Sequence, residues 1–163
     1  MSAQTRYGYM TPMGVAGGIF DIAPYEIDTF LNEEENGVLK FGVGVVEGSK
    51  PGVNLARPEA GATADTFLGV VTNNRTTEYD MEGKVHVLKG AGVGVMRYGR
   101  IYVRVAEDVK PEFGDKLYMV LEGEEAGYFT NEESGMAIKG RFVSGLDVAN
   151  GVAVVELFNQ AQE

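Results

Sequence analysis

No cysteine occurs among the 163 residues, so disulfides and thiolate metal sites are excluded and stability must come from packing or from partners. Tryptophan is absent too, and His86 is the only histidine, so a multi-histidine metal site cannot be built within one chain. Positive charge is scarce: 14 Lys and Arg stand against 24 Asp and Glu, a formal net charge of -10. Nucleic-acid affinity comes largely from neutralising phosphates with cations, so nucleic acid is not an expected partner. No apolar run approaches the ~20 residues of a membrane span, and Met1 to Met13 holds no continuous apolar stretch of a signal peptide. A chain made in the cytoplasm with no membrane partner is expected. Catalytic motifs are missing as well. There is no G-x-S-x-G elbow, H-E-x-x-H, P-loop or dinucleotide fingerprint. No enzymatic activity, cofactor or metal is expected, and the acidic runs at Glu33 to Glu35, Glu122 to Glu125 and Glu132 to Glu133 read as solvated loops.

What the chain has in excess is glycine, 23 residues, about twice the usual share of roughly 7%. No Gly-X-Y period accompanies it. The glycines fall within and at the ends of short β-branched runs, where turns, bulges and close backbone approaches need them. Such runs predict strands near 38–46, 67–72, 84–89, 91–96, 100–106, 116–121, 127–130, 137–143 and 152–158. The fold class is therefore all-β, a single compact barrel or sandwich-like domain. Asn150-Gly151 predicts a two-residue type I′ hairpin, and Tyr98-Gly99 reads as a turn between two strands. Gly42-Val43-Gly44-Val45-Val46 and Gly92-Val93-Gly94-Val95-Met96 are near-copies fifty residues apart.

The first 37 residues differ, and they are expected to form an extended N-terminal arm preceding a body at 38–163. Gly14-Val15-Ala16-Gly17-Gly18 reads as too flexible for regular structure, and Tyr25 to Leu31 reads as extended, with a short helix also compatible. The arm places Tyr7, Tyr9, Met10, Met13, Ile19 and Phe20 where no core of their own can form. A basic and aromatic cluster, Arg97, Tyr98, Arg100, Tyr102 and Arg104, accompanies it on a strand whose Ile101, Val103 and Val105 face the core. Tyr and Arg are enriched at interface hot spots, so arm and cluster are the candidate contact residues.

Five stretches carry a family resemblance. They are Gly14 to Asp21, Phe67 to Gly83, Met96-Arg97-Tyr98-Gly99-Arg100-Ile101-Tyr102-Val103, Phe113-Gly114-Asp115-Lys116-Leu117-Tyr118, and Val155-Glu156-Leu157-Phe158-Asn159-Gln160. In order and without large insertions, they resemble the structural cement proteins of tailed phages. The resemblance implies a capsid decoration protein of the virion's outer surface. It would bind the major capsid protein, associate with itself, most simply as a homotrimer at or near threefold positions, and clamp neighbouring subunits against internal DNA pressure. It implies no catalytic residues. The competing classes are a carbohydrate-binding β module, which needs coplanar aromatics, and a small-barrel glycosidase, which needs two converging carboxylates.

Overall fold

The structure is a computed structural model that describes residues 14–73, 78–79 and 85–159. These residues form eleven strands, in order β1 (Glu26–Asn32), β2 (Gly44–Glu47), β3 (Asn54–Ala56), β4 (Phe67–Val71), β5 (Glu78–Tyr79), β6 (Val85–His86), β7 (Gly92–Arg104), β8 (Lys116–Met119), β9 (Phe129–Thr130), β10 (Met136–Phe142) and β11 (Val152–Leu157). Among the described residues there is one 3-10 turn, Ala64–Thr66, and no α-helix. The all-β class holds.

Two circuits share β7. The order β1-β3-β2-β4-β7 closes on itself because β7 also pairs antiparallel with β1, giving a five-stranded barrel. From β7 the sheet continues through β11, β10, β8 and β9. A parallel bridge from Val105 to Phe129, with the Ala106 N–H donating to the Phe129 carbonyl at 2.9 Å, returns β9 to the end of β7. Closure of this kind covers edges that would otherwise invite pairing, except along β1 ahead of Leu31, the first residue that β3 meets.

A bulge in β7 lets one strand serve both circuits. Glu26 pairs with Tyr98 and Ile27 with Met96, so Arg97 is passed over in the ladder. An extra residue in a strand changes which face the following side chains take. Before the bulge Val93 and Val95 enter the barrel cluster with Phe30, Val45, Leu55 and Val71. After it Ile101, Val103 and Val105 enter a second cluster with Leu117, Phe129 and Phe142. The predicted turn at Tyr98-Gly99 is thus a correction: β7 runs straight through it. The near-copies prove spatially matched. They flank β4 on its two sides; Val43, Val45, Val93 and Val95 share the barrel cluster, while Val46 and Met96 share the second.

The hairpin at Asn150-Gly151 needs a second correction. Gly151 has φ +65, but Asn150 is not among the positive-φ residues, so the turn is not type I′. Asp147 pairs with Val152 around a four-residue loop and accepts the N–H groups of Asn150 and Gly151 at 3.3 and 2.8 Å. Nothing lies within 4 Å of a Cβ added at Gly151, so Gly151→Val tests the backbone alone. It is expected to cost more than the roughly 1 kcal/mol of an average substitution, because a β-branched residue resists positive φ. A denaturation midpoint indistinguishable from the parent's would contradict that turn geometry.

Residues 14–37, grouped with the arm in the sequence, sit on the body, with β1 as an integral barrel strand. The Gly-rich stretch is ordered: Val15 accepts the Gly18 N–H at 2.9 Å, and Gly17 is wedged so that an added Cβ would lie 2.7 Å from the Asn73 nitrogen and 3.0 Å from the Phe41 Cβ. The acidic run is tied to loops. Glu33 accepts the Ser49 N–H at 2.6 Å, Glu34 accepts the Arg57 N–H at 2.8 Å, and Glu35 pairs with Lys89 at 2.6 Å. Ser49 holds the Glu33 carboxyl below its ordinary pKa.

Candidate docking surface

Residues 17–32 run antiparallel along nearly the whole of β7. The Gly17 N–H donates to the Tyr102 carbonyl at 2.8 Å, the Tyr102 N–H to Gly18 at 3.0 Å, and the Phe20 N–H to Arg100 at 3.1 Å. Ile19 bridges Ile101, and β1 resumes the pairing at Glu26. Between these two stretches the chain has more residues than β7 can match. Asp21 to Tyr25 therefore bulge outward as a knuckle. The Asp21 carboxylate braces it, accepting the Ala23 N–H at 3.1 Å and pairing with Arg100 at 3.0 Å. Ile22 at the tip is 101% exposed, flanked by Phe20 and Tyr25, which are exposed at 44% and 50%. Tyr25 packs its Cβ over Gly99, and exposed Tyr98 stands opposite Glu26.

An ion-pair ladder crosses the strands beside the knuckle. Arg100 pairs with Asp21 and, at 3.6 Å, with Glu156; Glu156 pairs with Arg141 at 2.9 Å. Glu156 is directly opposite both arginines in the β-register, on β11 between β7 and β10. Each partly exposed pair is worth only about 0.2–1 kcal/mol, but a shared residue orders its neighbours together. The ladder fixes the knuckle to the sheet.

The structure brings together four of the residues singled out in the sequence: Ile19, Phe20, Arg100 and Tyr102. The rings of Phe20 and Tyr102 meet edge to face, centroids 5.7 Å apart, and Gly14 lies against the Tyr102 ring. Tyr98 lies near by, beside Tyr25. Arg97 is separate, pairing with Asp28 at 3.0 Å on the β1 side, and Arg104 is used internally, its Nε donating to the Phe41 carbonyl at 2.9 Å. Tyr7, Tyr9, Met10 and Met13 lie outside the described residues. Sequence reasoning missed Ile22 and Tyr25 as contact residues. The available signal was Asp21-Ile22-Ala23-Pro24, an apolar residue between a turn-forming Asp and a proline.

Comparison with known proteins gives this surface its context. The family described as "Structural cement protein (E217 gp24/Pam3 gp6)" matches residues 3–158. The chain belongs to this family of phage structural cement proteins. Its fold also resembles a solved chain described as "The capsid of Myoviridae Phage XM1", with a TM-score of 0.71 at 20% identity, covering 99% of this chain and 100% of that one. No curated protein matches.

The Phe20 and Tyr102 planes stand at 67°, so that pair does not form the coplanar platform a sugar-binding module needs. Among the described residues no three His, Asp or Glu side chains group to hold a metal ion.

Proposed function

We propose that this cement protein sits on the outer surface of a phage capsid and clamps neighbouring major capsid protein subunits, stabilising the shell against internal DNA pressure. The observation that carries this reading is the braced apolar knuckle. Ile22 gains nothing from folding of the free chain because it stays in water, and an apolar group held rigidly in solvent is the feature of a surface awaiting a partner. Phe20, Tyr25, Tyr98 and Arg100 around it are the residue types of interface hot spots. Many copies on a symmetric shell turn modest contacts into high avidity.

In this reading the chain is made in the host cytoplasm, acts without catalysis or cofactor, and has neither nucleic acid nor membrane as partner. Copies associate as a homotrimer at or near threefold positions, where cyclic contacts match the shell's local symmetry. Tyr7, Tyr9, Met10 and Met13 extend the contact surface beyond Gly14.

Ile22→Asp is the direct test. The melting temperature should be unchanged, while affinity for purified particles, read by co-sedimentation, should fall at least about tenfold, or about 1.4 kcal/mol. Undiminished binding would remove the knuckle from the interface, and no binding by the parent protein would remove the capsid reading altogether.

A further inference from the structure

We infer that the outer edge of β1 is a strand-addition site and that a second copy fills it with its own residues 5–11. On one side β1 is fully paired with β7, from Glu26 to Leu31. On the other side β3 meets it only at Leu31 and Asn32, because β3 begins at Asn54. The chain just before β3 turns away at Lys50, whose carbonyl accepts the N–H groups of Val53 and Asn54 at 3.1 and 3.0 Å. Pro51 in that turn has no N–H to offer a ladder.

The direction of the free groups follows from alternation. The Leu31 N–H points away from β7, donating to the Val53 carbonyl at 2.9 Å, while the Asn32 N–H points the other way, to Ala91. Successive residues of a strand alternate in this respect, so Thr29 and Ile27 share the direction of Leu31. Among the described residues no strand lies there to receive them. Such an edge is a template for an added strand, whose side chains then seat on whatever flanks it. Here exposed Leu31 and Val53, at 43% and 46%, provide apolar seats.

Three features commit the site to residues 5–11 of another copy. Thr5, Tyr7, Tyr9 and Thr11 place β-forming residues at every second position, the pattern of a strand with one contact face. Residues 1–13 hold Arg6 and no carboxylate, so the rest of the chain carries a formal charge of -11 against -10 for the whole, and the segment is drawn to the acidic body of a neighbour. Exposed Glu26 lies at the end of the edge. Residue 11 lies three steps from Gly14, about 10 Å at ~3.3 Å each, so the edge that seats residues 5–11 belongs to a copy packed directly beside that root. Its own edge is poorly placed: the chain leaves from Gly14, which lies over the Tyr102 ring, beyond the Gly92 to Tyr98 stretch of β7 that β1 pairs.

The absence of cysteine makes the test clean. Thr29→Cys protein is mixed with differently tagged single-cysteine variants at residues 5, 7, 9 and 11, added to particles, pelleted and oxidised. Cross-links between the two tags should form at one or two neighbouring odd positions and exceed those of Val148→Cys, an exposed control, by at least tenfold. Equal yields at all positions and the control would overturn the proposal. So would a Tyr9→Cys, Thr29→Cys double variant that closes only within single chains. The inference rests on the capsid reading to bring copies together, and the pellet scores that separately: protein left in the supernatant refutes attachment, whereas pelleted protein without cross-links refutes only strand exchange.

Discussion

Gly69→Ala is expected to lose roughly 3 kcal/mol or more, the largest loss from any single methyl group considered for this chain. A Cβ at this position would meet the Met96 carbonyl oxygen and lie 2.8 Å from the carbonyl carbon. The obstacle is backbone, in β7, and cannot swing aside as a side chain would. Gly69 is also at φ +150, and β4 is bulged there: Val45 pairs with Gly69 and Val46 with Phe67, which leaves Leu68 outside the ladder. Through that bulge Leu68 and Val71 face the barrel cluster while Phe67 and Val70 face the second one. Overpacking costs about 1–3 kcal/mol and an unfavourable backbone region about 1–3 more, against a total stability of about 5–15 kcal/mol. Gly52→Ala is the control, at φ +76 with nothing within 4 Å of the added Cβ, and should cost only about 1–2 kcal/mol. Urea midpoints for the two variants check the contrast. Equal midpoints would mean that the approach of β4 to β7 does not limit stability.

That dual role of β4 and β7 explains what was legible in the sequence. Alternation exposes a strand's two faces, so Ile101, Val103 and Val105 were correctly set against Arg100, Tyr102 and Arg104. It is blind to a bulge, which breaks the period while keeping the strand. Tyr98-Gly99 therefore resembled a turn, when the extra residue at Arg97 only redirects β7. β3 was missed because three residues, Asn54–Ala56, are too few to show a period. The glycines at 14–18 read as flexible for want of neighbours in the sequence. The neighbours come from far along the chain, Phe41, Asn73 and Tyr102, and they require the absence of a side chain. The docking surface was half legible for the same reason. Residue type marked Phe20, Arg100 and Tyr102, but only the mismatch in length between residues 17–32 and β7 raises Ile22 into solvent.

Two truncations separate the root of the N-terminal segment from its reach. Removing residues 1–13 should leave the melting temperature unchanged, because among the described residues the hydrogen bonds that seat the segment on β7 begin at Gly17. Affinity for particles should nevertheless fall at least about tenfold, since Tyr7, Tyr9, Met10 and Met13 are lost from the proposed contacts. Removing residues 1–20 is a different operation. It deletes the Gly17 and Phe20 donors to β7, deprives the Tyr102 and Asn73 N–H groups of their Gly18 and Gly17 acceptors, and uncovers the Tyr102 ring. Four hydrogen bonds at about 0.5–1.5 kcal/mol each place the loss at roughly 2–6 kcal/mol. At about 2–4 °C per kcal/mol for a domain of this size, the melting temperature should drop by roughly 5–20 °C. Calorimetry of both truncations beside a particle co-sedimentation assay reads the two effects apart. If the shorter truncation binds particles as well as the full chain, the segment before Gly14 has no part in attachment. If the longer one melts like the parent, the root rests on β7 without supporting it, and the knuckle loses the rigid base on which its role as a docking point depends.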